Sequence, residues 1–465
     1  MGRKVFISFL GGTNYKYCDY WKNGKSFGNV RFIQEATLNY LNVNQNWESD
    51  DMALILLTKG AESSNWVDNG QKDREGNIAI DERTQSTLEG LSTRLKEFKI
   101  KTETINNLPD GNDETEIWTI FERVFERIEA NDELYFDITH GFRYLPMLVL
   151  VLCSYSKFLK NITVKSVTYG NFEVARDLGH GLIVDLLPLT QLQDWTYAAG
   201  QYLDSGNVNK LVEMSHNKYP TFAQNLKDTI ADFHAYRGIS IIESSNLKEI
   251  KSIMSTMDTS DLPPLKFVFD KVKSDFDKFN DSDIQNVKNG YESAKWCHSN
   301  QLYQQAITIL IETVITDICI SEKLDWKRRK YRDVVSNTLF IVSTNTPENG
   351  WKIVTDTKDS DKYTNEYLER KNTSPESCES ISENEKYKSK YFKDLSLYRQ
   401  LVKSKRVSEL VELSTMIKDI RDDIDHAGMR NEAKSFNDIE DSLHNIFAKL
   451  NTILSLFPCH FKSQI

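Results

Sequence analysis

The first 188 residues alternate strand-like and helix-like segments, and this alternation restricts the fold more than any other property of the chain. Runs rich in β-branched, aliphatic and aromatic residues occur at Lys4–Leu10, Met52–Leu57, Ile100–Ile105, Glu133–Ile138, Thr163–Tyr169 and Leu182–Leu187. Helical periodicity fills the intervals at 33–43, 83–98, 114–130 and 143–159. Apolar strands separated by helices require a parallel sheet covered on both faces. Residues 1–188 are therefore expected to form a Rossmann-like α/β domain, in which ligands bind beyond the carboxyl ends of the strands.

From residue 189 onward the strand signals largely stop. Thr190–Leu203, Pro220–Tyr236, Leu265–Phe279, Ile284–Ser299, Leu302–Ile320, Tyr391–Val402, Val407–Asp425 and Phe436–Leu456 all carry a helical period. The expected fold class is α/β plus all-α, with residues 189–465 forming the helical region. Leu302–Ile320 is apolar at Ile307, Leu310, Ile311, Val314, Ile315 and Ile318, as a central helix should be. Residues 356–386 have few apolar anchors and read as a mobile excursion. With 465 residues, 39% of them apolar, the chain has enough material for two or three cores.

The formal charge of −10 argues against a general nucleic-acid coat protein. A local basic patch could still hold RNA, and Lys327-Arg328-Arg329-Lys330-Tyr331-Arg332 is a candidate, although a solvated helix face is the favoured reading of that run. Six scattered cysteines (Cys18, Cys153, Cys297, Cys319, Cys378, Cys459) contain no Cys-x-x-Cys pair, which fits reduced thiols and offers no zinc site. The apolar run Val5–Leu10 is too short for a signal-peptide core, and Phe6 stands where a myristoylation signal wants Ser or Thr. The longest apolar run, Met147–Cys153, is far below a membrane span. A soluble, cytoplasmic protein without a membrane partner is expected.

Two loops at strand ends draw attention. Gly11-Gly12-Thr13-Asn14 directly follows the first strand. Its glycines let the backbone come close to a ligand, and Thr13 and Asn14 add hydrogen-bonding groups. It is neither a dinucleotide fingerprint nor a phosphate loop, and a tight turn needing glycine explains it equally well when viewed alone. The second loop is Asp137-Ile138-Thr139-His140-Gly141-Phe142-Arg143. Thr139 or His140 offers a hydroxyl or imidazole near a helix start, where free amides favour an anion. Phe142 and Arg143 suit stacking on a base or contact with a phosphate. This loop is more polar than turning requires, and ligand binding is the favoured reading.

Near the C-terminus, Arg421 and His426 stand with four residues between them. Leu410, Leu413, Ile417, Ile420 and Ile424 step by three and four, so the segment is an amphipathic helix, and Gly428 is a natural stop. Five positions amount to about 140° of rotation and about 7.5 Å of rise. Arg421 and His426 thus flank the Ile420/Ile424 stripe. A permanent guanidinium beside an imidazole that titrates near neutrality is what metal-free phosphodiester cleavage needs. A surface arginine with a histidine near a helix end is the ordinary reading of that spacing, and the rest of the chain has to decide.

The motifs Phe-Leu-Gly-Gly-Thr-Asn-Tyr, Asp-Ile-Thr-His-Gly-Phe-Arg and Arg-Asp-Asp-Ile-Asp-His-Ala-Gly-Met-Arg, in that order, resemble those of the CRISPR-associated CARF–HEPN ribonucleases. These are accessory effectors of type III CRISPR systems. Tyr169-Gly170 and the Leu302–Ile320 helix fit the same family. The resemblance implies a CARF domain at 1–188 that dimerises and binds a cyclic oligoadenylate activator, with cyclic tetra-adenylate preferred. Gly11, Gly12, Thr13, Asn14, Thr139, His140, Gly141, Phe142 and Arg143 would line that pocket. It also implies a HEPN ribonuclease domain within 189–465, paired in a homodimer or higher homo-oligomer. Two copies of Arg421 and His426 would then act on single-stranded RNA, with no metal and no cofactor beyond the activator. Asp425 precedes the histidine, and Asp422 stands where the family often has asparagine; carboxylates there would raise the imidazole's pKa.

The implied chemistry is attack by the substrate's own 2′-hydroxyl, leaving a 2′,3′-cyclic phosphate and a 5′-hydroxyl; DNA would survive. Two other readings are a ligand-binding CARF regulator without nuclease activity and a HEPN toxin-type ribonuclease active without ligand. A Rossmann oxidoreductase lacks its glycine fingerprint.

Overall fold

The computed structural model describes residues 2–72, 75–81, 83, 85–141, 143–235, 237–243, 245–279, 287–351, 353, 385–425 and 433–456. The chain divides into two units, Met1–Asp194 and Trp195–Ile465. The division falls inside the helix Leu187–Ser205, which also contains the boundary expected at residue 188.

The first unit holds eight strands: β1 Lys4–Leu10, β2 Cys18–Lys22, β3 Lys25–Val30, β4 Met52–Thr58, β5 Lys101–Leu108, β6 Glu133–Asp137, β7 Thr163–Asn171 and β8 Gly181–Asp185. Their order in the sheet is β3-β2-β8-β7-β6-β1-β4-β5. From β7 to β5 all neighbours are parallel, with β1 between β6 and β4. The sheet is mixed, not wholly parallel as expected, because β8 runs antiparallel to β7 and β2 antiparallel to β3. The β2–β3 hairpin turns on Asn23 (φ 50°) and Gly24 (φ 75°), the left-handed pair that a tight hairpin requires.

Helices α1 Ile33–Tyr40, α2 Val43–Asn46, α3 Lys59–Ala61, α4 Leu91–Arg94, α5 Glu114–Phe125, α6 Leu145–Lys160 and α7 Ala175–Leu178 complete the unit, and α8 Leu187–Ser205 leads out of it. The strand period of two divides the side chains of β1 between two cores. Val5, Ile7 and Phe9 pack with Ile120, Val124, Leu148 and Leu152 of α5 and α6. Phe6 and Leu10 pack with Phe32, Leu38, Leu91 and Phe98 on the other face. Of the helix expected at 83–98, only α4 and a 3-10 turn at Leu95–Glu97 form. Gly90 is the reason: its backbone is extended, its N–H donates to Asp68 Oδ1 at 2.7 Å, and it lies so close to Trp66 and Val67 that a Cβ would clash.

The second unit is all helical among the described residues: α9 Asn209–Ser215, α10 Pro220–His234, α11 Gly238–Glu243, α12 Ser245–Thr256, α13 Leu265–Phe276, α14 Val287–Ser299, α15 Tyr303–Ser321, α16 Arg329–Ser343, α17 Glu385–Val402, α18 Lys405–Asp425 and α19 Phe436–Leu456. They share one apolar core, with α15 packed among α14, α16 and α18. By length and composition α15 could cross a membrane, but here most of it is buried in that core. The basic run around residue 330 is solvated at Lys327, Arg328 and Arg329, whereas Lys330 and Arg332 are partly buried in ion pairs. Lys327 pairs with Glu243, Lys330 with Asp394 at 2.8 Å, and Arg332 with Glu312. The excursion expected at 356–386 lies outside the described residues, apart from the last two, which open α17.

Candidate functional site

Because β1 and β6 are neighbouring parallel strands, the loops beyond them emerge side by side at the carboxyl edge of the sheet. The structure brings Gly11 and His140 together. The His140 ring stacks on Tyr15 with centroids 4.2 Å apart, and Gly11 lies under both, so near Tyr15 that a Cβ would fall 2.3 Å from its hydroxyl. Gly12 approaches Gly60, where a Cβ would meet only ordinary contacts, so that glycine is not sterically demanded. Thr13 and Asn14 are exposed.

Asn65 holds this loop, and nothing in the sequence reading had singled it out. Its fully buried amide donates to the carbonyls of both Gly11 and Thr13 at 2.8 Å. Its oxygen accepts from Arg31 at 2.9 Å and from Gln71 at 3.0 Å. Arg31 is itself buried, with its guanidinium 4.4 Å over the Phe32 ring, and burial lowers its pKa. No motif flags Asn65, because its role depends on a contact across more than fifty positions.

Thr139 has a structural task. Its hydroxyl donates to Asp137 Oδ1 at 2.5 Å and accepts from the Gly170 N–H at 2.7 Å, clipping the β6 loop to β7. Asp137 also accepts from Ser8 Oγ at 2.7 Å, and Ser8 is its register partner on β1. Burial raises the Asp137 pKa, opposed by these hydrogen bonds. Thr139 therefore fixes the loop, its hydroxyl already engaged by Asp137 and Gly170. Gly141 has φ 131°, and a Cβ there would strike Leu145, so the turn into α6 needs glycine. Arg143 is exposed, and Phe142 lies outside the described residues. Burial pushes the His140 pKa down to about 4, leaving a neutral imidazole at neutral pH. The Tyr15 phenol is pushed up to about 12 by the same cause.

In the helical unit, α18 is fixed near both ends. Arg406 grips Asp317 of α15 with two hydrogen bonds, at 3.0 and 2.5 Å, and Tyr291 of α14 donates to the same carboxylate at 2.6 Å. At the other end the buried Asp423 accepts the backbone N–H of Lys434 at 3.2 Å. Between them Leu410, Leu413, Ile417 and Ile420 face the core. Arg421 faces outward, about two-fifths exposed, with Nε 3.1 Å from Asp425 Oδ2 one turn on. Lys418 stands one turn before it, its pKa lowered by burial. His426 lies outside the described residues, so its distance from Arg421 is not part of the geometry. Among the described residues no group of three or more His, Cys, Asp or Glu side chains is placed to hold a metal.

The fold and the paired loops define a Rossmann-like domain with its polar loops gathered at one edge of the sheet. Residues 5–173, from β1 through β7, match the family described as CRISPR system endoribonuclease Csx1, CARF domain. The match covers the first unit alone, and through it the chain is similar to the CARF-containing CRISPR-associated proteins. It is 25% identical over 304 residues to CRISPR-associated protein MJ1674 of Methanocaldococcus jannaschii, a match covering 60% of this chain and 45% of that protein. The chain thus spans under half the length of that relative. Among solved structures, Enterococcus italicus Csm6 bound to cyclic hexa-2'-fluoro-hexa-dAMP matches over 98% of this chain and 95% of the other, at 11% identity and a TM-score of 0.41.

Proposed function

We propose that this protein is a cyclic-oligoadenylate-activated, metal-independent endonuclease for single-stranded RNA in a type III CRISPR defence system. The observation that carries the reading is the CARF-family match of residues 5–173, whose β1 and β6 loops stand side by side. The activator, with cyclic tetra-adenylate preferred, binds there through the Gly11–Asn14 backbone, His140 and Arg143. The helical unit acts as a HEPN ribonuclease, with Arg421 and His426 from two chains converging on one phosphate. His426 moves the proton and Arg421 stabilises charge on the phosphorane while the 2′-hydroxyl attacks. The Arg421–Asp425 pair does not block this role. An exposed i,i+4 pair is worth about 0.3–0.5 kcal/mol, whereas a charge-assisted hydrogen bond to phosphate is worth about 1.5–3 kcal/mol. An arriving phosphate displaces Asp425.

The test is cleavage of labelled RNA in a chelating buffer across cyclic tri-, tetra- and hexa-adenylates. Cleavage is expected with one ring size, giving 2′,3′-cyclic phosphate ends and sparing DNA. RNA left intact under every condition would leave a binding-only regulator, and cleavage without activator would make the protein a toxin-type ribonuclease.

A further inference from the structure

Helix α16 carries no charged residue from Val334 to its end at Ser343, and the uncharged run continues to Pro347. Phe340 stands on the outer side of this run, 55% exposed, while Leu339 and Ile341 on either side of it are buried in the core. A single exposed apolar ring is ordinary by itself. Its neighbour is less so. Helix α18 packs against α16 and brings Lys418 Nζ to 5.9 Å from the centroid of the Phe340 ring. Lys418 is partly buried, yet among the described residues no carboxylate pairs with it. Burial lowers its pKa, and Asp422, one turn on, opposes this through charge attraction alone. The other cations on and beside α18 and α19 are paired: Arg406 with Asp317, Lys434 with Asp419 and Lys449 with Glu412. Arg421 follows Lys418 by three positions, and side chains so spaced are neighbours on a helix surface, with Cβ atoms about 5–6 Å apart.

We infer that Phe340, Lys418 and Arg421 form a track for single-stranded RNA, the ring stacking on a base and Lys418 holding the phosphate next to the one at Arg421. The track rests on the proposed function in one respect, the scissile phosphate at Arg421. A single strand is held by two kinds of contact, π-faces for its bases and cations for its phosphates. This surface offers both within one turn of α18. At its distance from the ring Lys418 gains only a weak cation–π attraction, and a phosphate supplies the counter-charge it lacks. The ring is presented by a helix anchored through Leu339 and Ile341, so stacking requires no rearrangement of the backbone. Holding one base also fixes the attached sugar, which is what in-line attack by a 2′-hydroxyl needs. Phe340 is thus a positioning residue and Lys418 a substrate-binding one. A protein partner fits this surface less well. Asn337, Ser343 and Thr344 surround the ring on α16, and one apolar side chain among polar ones falls far short of an interface core.

The experiment is fluorescence anisotropy of the full chain with labelled single-stranded RNA carrying 2′-fluoro sugars, which lack the attacking hydroxyl, with cyclic tri-, tetra- and hexa-adenylates all present. Phe340→Ala and Phe340→Leu should each weaken binding about fivefold or more, the least that loss of one base–aromatic stack produces. Phe340→Tyr should stay within about twofold of the wild type, as should the control Phe267→Ala, another exposed ring on α13. Lys418→Met should lower the slope of log affinity against log salt by about 0.7, one phosphate's worth on a single strand. A role as mere bulk would be rescued by leucine and would leave the salt slope alone. Wild-type affinity in Phe340→Ala or Phe340→Leu, or a wild type that binds no RNA, would overturn the assignment. Cleavage assays with ordinary RNA keep the two readings apart. RNA held through Phe340 but never cut refutes the nuclease and leaves the track standing, whereas RNA cut by a Phe340→Ala protein that binds it normally refutes the track alone.

Discussion

Arg421 differs from Arg406 and Lys330 in that its partner is weak and local. Arg406 is bound bidentately to a nearly buried carboxylate, and Lys330 is buried against Asp394, so neither is available to a substrate. Arg421→Ala should therefore lower RNA cleavage about 10²–10³-fold through kcat, as removing a preorganised charge donor does, without changing the fold. Lys418→Ala, one turn away, should act mainly on KM. Cleavage at an unchanged rate in Arg421→Ala or His426→Ala would remove that residue from the mechanism. His140 gives a second residue-level expectation. Its folded pKa of about 4 lies below the ordinary 6.5, so the unfolded chain takes up a proton first as pH falls. The stability that the neutral ring contributes is fully present above pH 6.5 and is lost as pH falls through 4, amounting to on the order of 3 kcal/mol at most. Urea midpoints at pH 7.5 and 5 should therefore differ less in His140→Gln than in the wild type. Equal pH dependence would mean that the ring is solvated.

At the scale of elements, the pocket loop is held from outside itself. Asn65→Ala would remove the Gly11 carbonyl's side-chain donor and leave the Thr13 carbonyl only the longer hydrogen bond from Gln71 at 3.4 Å, at about 1–3 kcal/mol. Activator affinity should then fall at least tenfold by titration, while His140→Ala and Arg143→Ala weaken it by removing direct contacts. Undiminished binding in all three would place the activator elsewhere. The contrast between Asn65 and Gly11 also shows what a sequence can disclose. The buried strands β1, β4 and β6 and the helices α5, α6, α15 and α18 are legible because their periods persist over many residues. The β2–β3 hairpin was legible in principle from Asn23-Gly24, but β3 is short, half-exposed and lacks an apolar alternation. The helix at 83–98 failed because Gly90 is drawn against Trp66 and Val67, a tertiary demand that overrides local periodicity. Thr139 was visible as a polar residue at a strand end. That its hydroxyl is occupied by Asp137 and Gly170 depends on β7, thirty residues further on.

For the whole molecule, the chain passes from one unit to the other inside α8, and the proposed activation requires that occupancy of the first unit alter the second. A ligand shifts such an equilibrium only through differential affinity for its states, and the resulting coupling is reciprocal for binding. This gives a test that does not depend on catalysis. An RNA carrying a 2′-deoxy substitution at the scissile nucleotide lacks the nucleophile and binds without being cut. If the activator tightens binding of that RNA by some factor, commonly ~5–150, the RNA must tighten binding of the activator by the same factor. Titrations in both directions, at protein concentrations where the oligomeric state is constant, should return equal ratios. Arg421→Ala should weaken the RNA arm, and with it any coupling that runs through the phosphate contact. If neither ligand affects the other's affinity, yet cleavage still depends on the activator, then activation acts on placing the catalytic groups and not on substrate binding. The control point would then be the alignment of the two Arg421/His426 pairs.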